Sequence, residues 1–178
     1  MAYLSYADLH TATRQFSINE TADVIKARAA AGHVGVFLAH SSDDDEHVGG
    51  VTDFFRQFNA LVYSDDSDKD LPAHPDTSTA RRLSDRIRDC KRFVVLVSPN
   101  SRGSKWIPWE LGIAHGLKGV APIAILPITP YGDEAEWTKE QYFGLYPRIR
   151  NNGTGWVVHD PRDNRHWELS SWLHDAVN

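Results

Sequence analysis

The sequence predicts one α/β domain built on an open parallel sheet, and three features of the chain carry that expectation. Two short apolar runs, Val34 to Ala39 and Phe93 to Val97, show no polar alternation, as strands covered on both faces require. The segments between such runs carry apolar residues at helical spacing. Connections are mostly short, and strand alternating with helix builds a parallel sheet clad by helices on both sides. At 178 residues the chain holds one domain of about 150 residues with a modest extension.

Taken in order, residues 1–33 read as a helical extension and residues 34–178 as the domain with its C-terminal strand and helix. Ser5, followed three residues later by Asp8, has the spacing of a capping box. Ile18, Ala22, Ile25 and Ala29 recur at helical spacing, and Gly32 ends that stretch as a helix-terminating glycine does. Val34 to Ala39 is the first strand, ending at His40-Ser41-Ser42, and Val48, Val51, Phe54, Phe55 and Phe58 then mark a helix. Ala60 to Tyr63 is the second strand, and Ser64 to Thr77, polar, acidic and proline-containing, is a long loop. Thr79 to Arg92 is a charged helix with Leu83, Ile87 and Cys90 turned inward, and Phe93 to Val97 is the third strand. Pro108 starts the next helix, because proline in a first turn removes an N–H that has no partner there. Trp109, Ile113 and Leu117 stack along that helix at i, i+4 and i+8. Ile123 to Leu126 gives a fourth strand, Trp156 to Val158 a fifth, and Trp167 to Val177 a closing helix.

Composition removes several classes of function. With 41% apolar and 24% charged residues the chain is not disordered wholesale. One cysteine, Cys90, excludes a disulfide framework or a multi-cysteine zinc site within one chain. A formal charge of −5 argues against nucleic acid or an anionic membrane as a partner. No apolar run approaches the ~18 residues of a membrane span. Met1 to Glu20 is too charged for a signal peptide, so a cytoplasmic location is expected and the sequon Asn152-Gly153-Thr154 carries no weight.

Open parallel sheets bind ligands outside the carboxyl ends of their strands. That rule nominates His40-Ser41-Ser42, Asp65-Asp66, the stretch from Ser98-Pro99-Asn100 to Glu110, and Ile128-Thr129. The sequence has no glycine-rich dinucleotide fingerprint, phosphate loop, His-Glu-x-x-His pair or Gly-x-Ser-x-Gly elbow. Its nine histidines are scattered without metal-ligand spacing, so no metal is expected. A phospho-receiver would need an aspartate at the end of the third strand, which instead ends Val97-Ser98-Pro99. The acids Asp43 to Glu46 satisfy the orphan N–H groups of a helix start, or else touch substrate. Arg81, Arg82, Arg86, Arg88 and Arg92 interleave with Asp85 and Asp89, which reads as an ion-paired solvated face rather than a nucleic-acid patch. Cys90, on the core side, reads as structural.

The segment Ser104-Lys105-Trp106-Ile107-Pro108-Trp109-Glu110-Leu111 is the most informative. It places Glu110 in the first turn of a helix near the end of the third strand, with Trp106 just outside the helix. One reading has the acid capping the helix and the tryptophan plugging a core edge. The other is cleavage of an N-glycosidic bond: the aromatic face stacks on a flat base, while the carboxylate stabilises the oxocarbenium-like charge at the anomeric carbon or holds ribose hydroxyls.

Three blocks make the chain, from about Val34 to Ile128, resemble a TIR (Toll/interleukin-1 receptor) domain of the standalone bacterial kind. Val36-Phe37-Leu38-Ala39-His40-Ser41-Ser42-Asp43 resembles the first-strand box, with Ala39 in place of the usual serine. Val62-Tyr63-Ser64-Asp65 resembles the second-strand motif, with Asp70-Leu71-Pro72 in the following BB loop. Trp106 to Glu110 resembles the W-x-x-x-E block of enzymatic members. The resemblance implies a flavodoxin-like open parallel five-stranded sheet, here with an added N-terminal helix and a C-terminal helical extension. It implies cleavage of NAD+ between nicotinamide and ribose, with Glu110 as the essential catalytic residue. It places His40, Ser41, Ser42, Asp65, Asp70 and Trp106 around the substrate, with NAD+ as substrate and no separate cofactor.

Similar standalone proteins act in Thoeris-type antiphage defence, converting NAD+ into a cyclic or modified ADP-ribose messenger for a separate effector. The resemblance also implies self-association through TIR surfaces, and the N-terminal helix and Trp156, Trp167 and Trp172 lie outside its usual parts. Two alternatives stand beside this expectation: a non-catalytic TIR interaction module, and a nucleoside deoxyribosyltransferase-like enzyme sharing the sheet.

Overall fold

The computed structural model describes residues 2–13, 33–64, 77–101, 104–132 and 143–175. In chain order the elements are β1 (Leu4–Ser5), α1 (Tyr6–Thr13), β2 (Val34–Ala39), α2 (Asp45–Arg56), β3 (Ala60–Tyr63), α3 (Thr77–Asp89), β4 (Arg92–Val97) and α4 (Trp106–Lys118). Then come β5 (Ile123–Thr129), β6 (Arg148–Asn151), β7 (Trp156–His159), β8 (His166–Glu168) and α5 (Leu169–His174).

Apolar strands of β-branched and aromatic residues pair in parallel in the order β3-β2-β4-β5-β6. This is the doubly wound arrangement, and the winding direction reverses between β2 and β4, so the crevice for a ligand lies over their carboxyl ends. Alternate residues sort onto two faces. Phe37, Ala39, Val95 and Val97 pack with Leu83, Ile87, Ile107, Leu111 and Ala114 of α3 and α4. Val36, Leu38, Val94 and Leu96 pack with Leu9, Val51, Phe54, Phe55 and Trp172 of α1, α2 and α5. Both clusters are full cores, which is why β2, β4 and β5 are buried along their whole length.

The sheet is wider than the five strands expected, reaching eight strands among the described residues. The expected fifth strand at Trp156 to Val158 is β7, which runs antiparallel to β6, and β6 is the fifth parallel strand that the sequence pattern hid. Its sequence Arg-Ile-Arg-Asn has one apolar residue in four, Ile149, so it gives no buried-strand signal. Trp167 belongs to β8 rather than to the closing helix, which starts at Leu169.

The expected capping box is present: Asp8 Oδ2 accepts from the Ser5 N–H at 2.9 Å and from its hydroxyl at 2.6 Å, and Ser5 Oγ accepts from the Asp8 N–H at 3.1 Å. The segment before it is not helical, because Leu4 and Ser5 pair with Ile128 and Thr129 at the end of β5. Helix α1 then crosses α2 at Gly50, where an added Cβ would stand 2.6 Å from the Leu9 carbonyl oxygen, so no larger residue fits. The helical spacing from Ile18 to Gly32 lies outside the described residues.

Arg92 is not part of the solvated arginine face. It opens β4, is buried, and its Nε donates to the Trp172 carbonyl at 2.5 Å. Arg88 does pair with Asp85 at 2.6 Å, as the interleaving predicts. Cys90 is buried, and burial pushes its thiol up to about 12, so it stays protonated and inert. Trp172 is fully buried, with its indole N–H donating to the Ala121 carbonyl at 3.0 Å. No described helix is long and apolar enough to cross a membrane.

Candidate functional site

At the end of β2 the chain turns out of the sheet through His40 and Ser41, both buried, into a short 3-10 turn at Ser42–Asp44. Ser41 caps that turn by accepting from the Asp43 N–H at 3.4 Å. His40 Nε2 lies 3.3 Å from Asp45 Oδ1, which turns the ring toward the start of α2. Ser42 is exposed at the rim.

The acid run behaves differently from a simple helix cap. Asp45 and Glu46 occupy the first turn of α2, as complementing the macrodipole requires. Asp44 makes no side-chain cap bond and has no exposed surface. Its carboxylate accepts from Ser98 Oγ at 2.5 Å, Ser101 Oγ at 2.9 Å and Asn100 Nδ2 at 3.4 Å, three donors from the loop after β4. Asp44 therefore ties the β2 loop to the β4 loop over the reversal point of the sheet. Tyr6 of α1 stacks on the His47 ring at 4.4 Å, and burial, then the charges of Asp44 and Glu46, push its hydroxyl up.

The β4 loop leads into α4. Ser104 Oγ accepts from the Ile107 N–H at 3.4 Å, so the helix begins at Trp106, two residues before the proline. Pro108 still sits within the first turn, where its missing N–H costs nothing. This shift corrects two expectations. Trp106 is the first helical residue rather than a residue outside the helix, and Glu110 sits on the second turn rather than the first, so it is not a helix cap. Trp106 is 41% exposed and meets Trp109 edge-on at 5.4 Å, which is not the environment of a core plug.

The buried stripe of α4 is Ile107, Glu110, Leu111 and Ala114, while Trp109 and Leu117 of the expected stack face outward. Glu110 is 2% exposed. Helical side chains lean toward the N-terminal turn, so its carboxyl lies over Trp106 and Ile107, toward the carboxyl ends of the strands. A carboxyl group buried this deeply has little water around it, so a charge on it is weakly screened.

The structure thus brings His40, Ser41 and Ser42 onto one loop, and Trp106 and Glu110 onto one helix, at the same edge of the sheet. Asp65 and Asp70 lie outside the described residues. Among the described residues no group of three or more His, Cys, Asp or Glu could hold a metal ion. An open cavity of about 370 Å3 lies by the N-terminal segment, lined by Tyr3, Asp8, Phe54 and Trp156 among others, and none of the nominated residues lines it. Sequence reasoning missed Asp44, Ser98 and Ser101 as a unit. The Asp44 acid is hidden among four adjacent acids, and nothing in their spacing says which one is turned inward.

With this edge described, the comparisons with known proteins can be placed on it. Residues 36–148 match the family described as TIR domain. The chain belongs to the TIR domain family. The matched span runs past Ile128 to the start of β6, and so takes in the parallel strand that the sequence pattern hid. This TIR protein is 29% identical over 168 residues to the probable 3′ cyclic ADP-D-ribose synthase ThsB′ of Bacillus cereus (strain MSX-D12), covering 90% of this chain and 81% of the relative. A solved 2-deoxyribosyltransferase from Bacillus psychrosaccharolyticus superposes with a TM-score of 0.49 at 12% identity, over 82% of this chain and 100% of the other, a likeness too loose to carry chemistry.

Proposed function

We propose that this TIR protein cleaves the nicotinamide–ribose bond of NAD+ and releases nicotinamide with an ADP-ribose product of the cyclic type, as a messenger in antiphage defence. The observation that carries the reading is the relative named as a cyclic ADP-D-ribose synthase, aligned over most of both chains. The buried carboxylate of Glu110 one turn beyond Trp106 supports it.

In this mechanism the C1′–N bond of the nicotinamide riboside breaks with its electron pair passing to the pyridinium nitrogen, so nicotinamide leaves neutral. Positive charge develops on the ribose, and the Glu110 carboxylate stabilises it. Trp106 walls the nicotinamide end, while His40, Ser41 and Ser42 line the remainder. A hydroxyl of the same molecule captures the ribosyl cation and loses its proton, closing the ring; water in its place gives linear ADP-ribose. No cofactor or metal enters this scheme.

The test is incubation of purified protein with NAD+, and separately with deoxynucleosides, with products read by mass spectrometry. Nicotinamide release with a cyclic product supports the reading. Base exchange on deoxynucleosides supports the transferase alternative, and inertness toward both at high protein concentration supports the interaction module. The scheme places the protein in the cytoplasm, where NAD+ is abundant, with a separate effector downstream.

The scheme also includes self-association through TIR surfaces, which would close the site against water. Specific activity across a dilution series, with light scattering at each point, is expected to rise with concentration. A flat series from a monomer removes self-association and leaves the Glu110 chemistry standing.

A further inference from the structure

We infer that Asp44 is the positioning residue that holds the two halves of the site in register. The inference rests on the NAD+-cleaving reading above for its kinetic test, but its geometric argument stands on the structure alone.

The two halves are separate in sequence. One is the loop His40-Ser41-Ser42 after β2, and the other is the start of α4 with Trp106 and Glu110. Asp44 is hydrogen-bonded to the first directly and reaches the second through the loop after β4. On its own side, its backbone N–H donates to the Ser41 carbonyl at 2.8 Å. On the other side, its carboxylate holds Ser98 and Ser101, and from there the bonds continue. Ser98 N–H donates to Ser101 Oγ at 3.0 Å, Asn100 N–H donates to Ser98 Oγ at 2.9 Å, and Ser104 N–H donates to the Ser101 carbonyl at 3.3 Å. Ser104 Oγ then accepts from Ile107 N–H on the first turn of α4. The chain of bonds runs Asp44, Ser101, Ser104, Ile107, one turn short of Glu110.

The partners suit a carboxylate. Each of the three groups on the Asp44 carboxylate is a donor, and a carboxylate is an acceptor only. Both serine hydroxyls are further fixed by backbone N–H groups they accept from, which aims their protons at Asp44. An amide in its place matches one serine and presents its own N–H to the other. The link survives in shape but loses its charge-assisted strength. The position adds to the argument: the link spans the ends of β2 and β4, the strands between which the winding reverses and over which a ligand lies.

The test is Asp44→Asn, alone and combined with Glu110→Gln, with kcat and KM for NAD+ normalised to folded protein and melting followed by calorimetry. Small displacements of a reacting group cost up to about 100-fold in rate. We expect kcat to fall at least about tenfold in Asp44→Asn with KM changed little, and less than about twofold when the same change is added to Glu110→Gln. A fall in kcat by the same factor in both backgrounds shows that Asp44 acts independently of Glu110 and overturns the proposal, as does a wild-type kcat in Asp44→Asn. Should Asp44→Asn not fold, Ser101→Ala, which removes one donor, is read in the same way. Should the wild type release no nicotinamide, the NAD+ reading falls and the link is read by amide chemical shifts instead. Shifts in Asp44→Asn that reach Ile107 to Glu110 support the positioning role, and shifts confined to residues 41–45 and 98–101 overturn it.

Discussion

The two ends of the sheet are built with opposite chemistry. At the amino ends of the strands, cations and other donors meet backbone carbonyls. Arg92 holds the Trp172 and Asp175 carbonyls, with its guanidinium 5.1 Å from the Trp172 ring. Lys118 donates to the Cys90 carbonyl at 2.5 Å, Lys91 donates to the His174 carbonyl, and the His174 ring bonds the Phe58 carbonyl at 2.8 Å. At the carboxyl ends, buried Asp44 meets neutral serine and asparagine donors, and Glu110 is buried on the second turn of α4. The first end closes helices with partners supplied by the chain itself. The second carries the buried acids Asp44 and Glu110, where the proposed mechanism forms a cationic ribosyl group. One end is built to stay shut and the other to act on something.

This contrast breaks if changes at the carboxyl end alter stability alone, or if changes at the amino end alter rate alone. The largest effect is expected for Glu110→Gln, which keeps shape and removes charge. Nicotinamide release should fall by about 10² to 10³-fold with melting little changed. An unchanged rate removes Glu110 from the mechanism. At the opposite end, Arg92→Met should lower stability by about 3 kcal/mol, because charged hydrogen bonds to buried carbonyls are lost together. Turnover per folded molecule should stay as it was, and a matching fall in kcat would erase the distinction between the two ends.

Trp106→Ala sharpens the comparison within the carboxyl end. Since Trp106 is 41% exposed, truncation should cost no more than about 1 kcal/mol of stability. If its ring walls the nicotinamide, KM should rise about tenfold, the size of a lost base–aromatic stack. A large drop in melting temperature with unchanged KM returns Trp106 to a packing role.

The smallest effect belongs to neither end. The hydrogen bond from Arg162 holds the Asp160 carboxyl below its usual range. That shift contributes stability above about pH 4, the unfolded carboxylate value, and the contribution disappears as pH falls through the lower folded value. Arg162 is half exposed, so Arg162→Met should cost less than about 1 kcal/mol at neutral pH. The difference between variant and wild type should vanish in acid melts.

Much of this contrast was legible in the sequence, and the exceptions have physical reasons. The strands β2, β3, β4 and β5 announce themselves because burial on both faces demands uninterrupted apolar runs. β6 does not, because its Arg148 and Arg150 interrupt the pattern. Pro108 located α4 to within two residues but not its first residue, since a proline is tolerated anywhere in the first turn and Ser104 sets the start. Glu110 and Trp106 stood out by spacing, yet spacing could not tell that one is buried and the other exposed. Asp44 was visible only as one acid in a run, because its donors come from a loop far along the chain. Long-range polar partners leave no periodic mark, and buried polar links are the part of a site that sequence pattern conceals best.

The pairing of β1 with the end of β5 has a consequence for how the protein is made. During synthesis Leu4 and Ser5 leave the ribosome before β2, β3 and β4, and their partners Ile128 and Thr129 emerge only after them. Until then the N-terminal segment has no sheet to join, and the β5 edge it will occupy does not exist. A contact this distant raises the contact order and belongs to the late steps of folding. The carboxyl edge of the sheet is therefore completed by residues translated before the strand they dock on. A nascent chain stalled before β5 would hold a partial sheet with its reversal point already formed and its N-terminal strand still waiting.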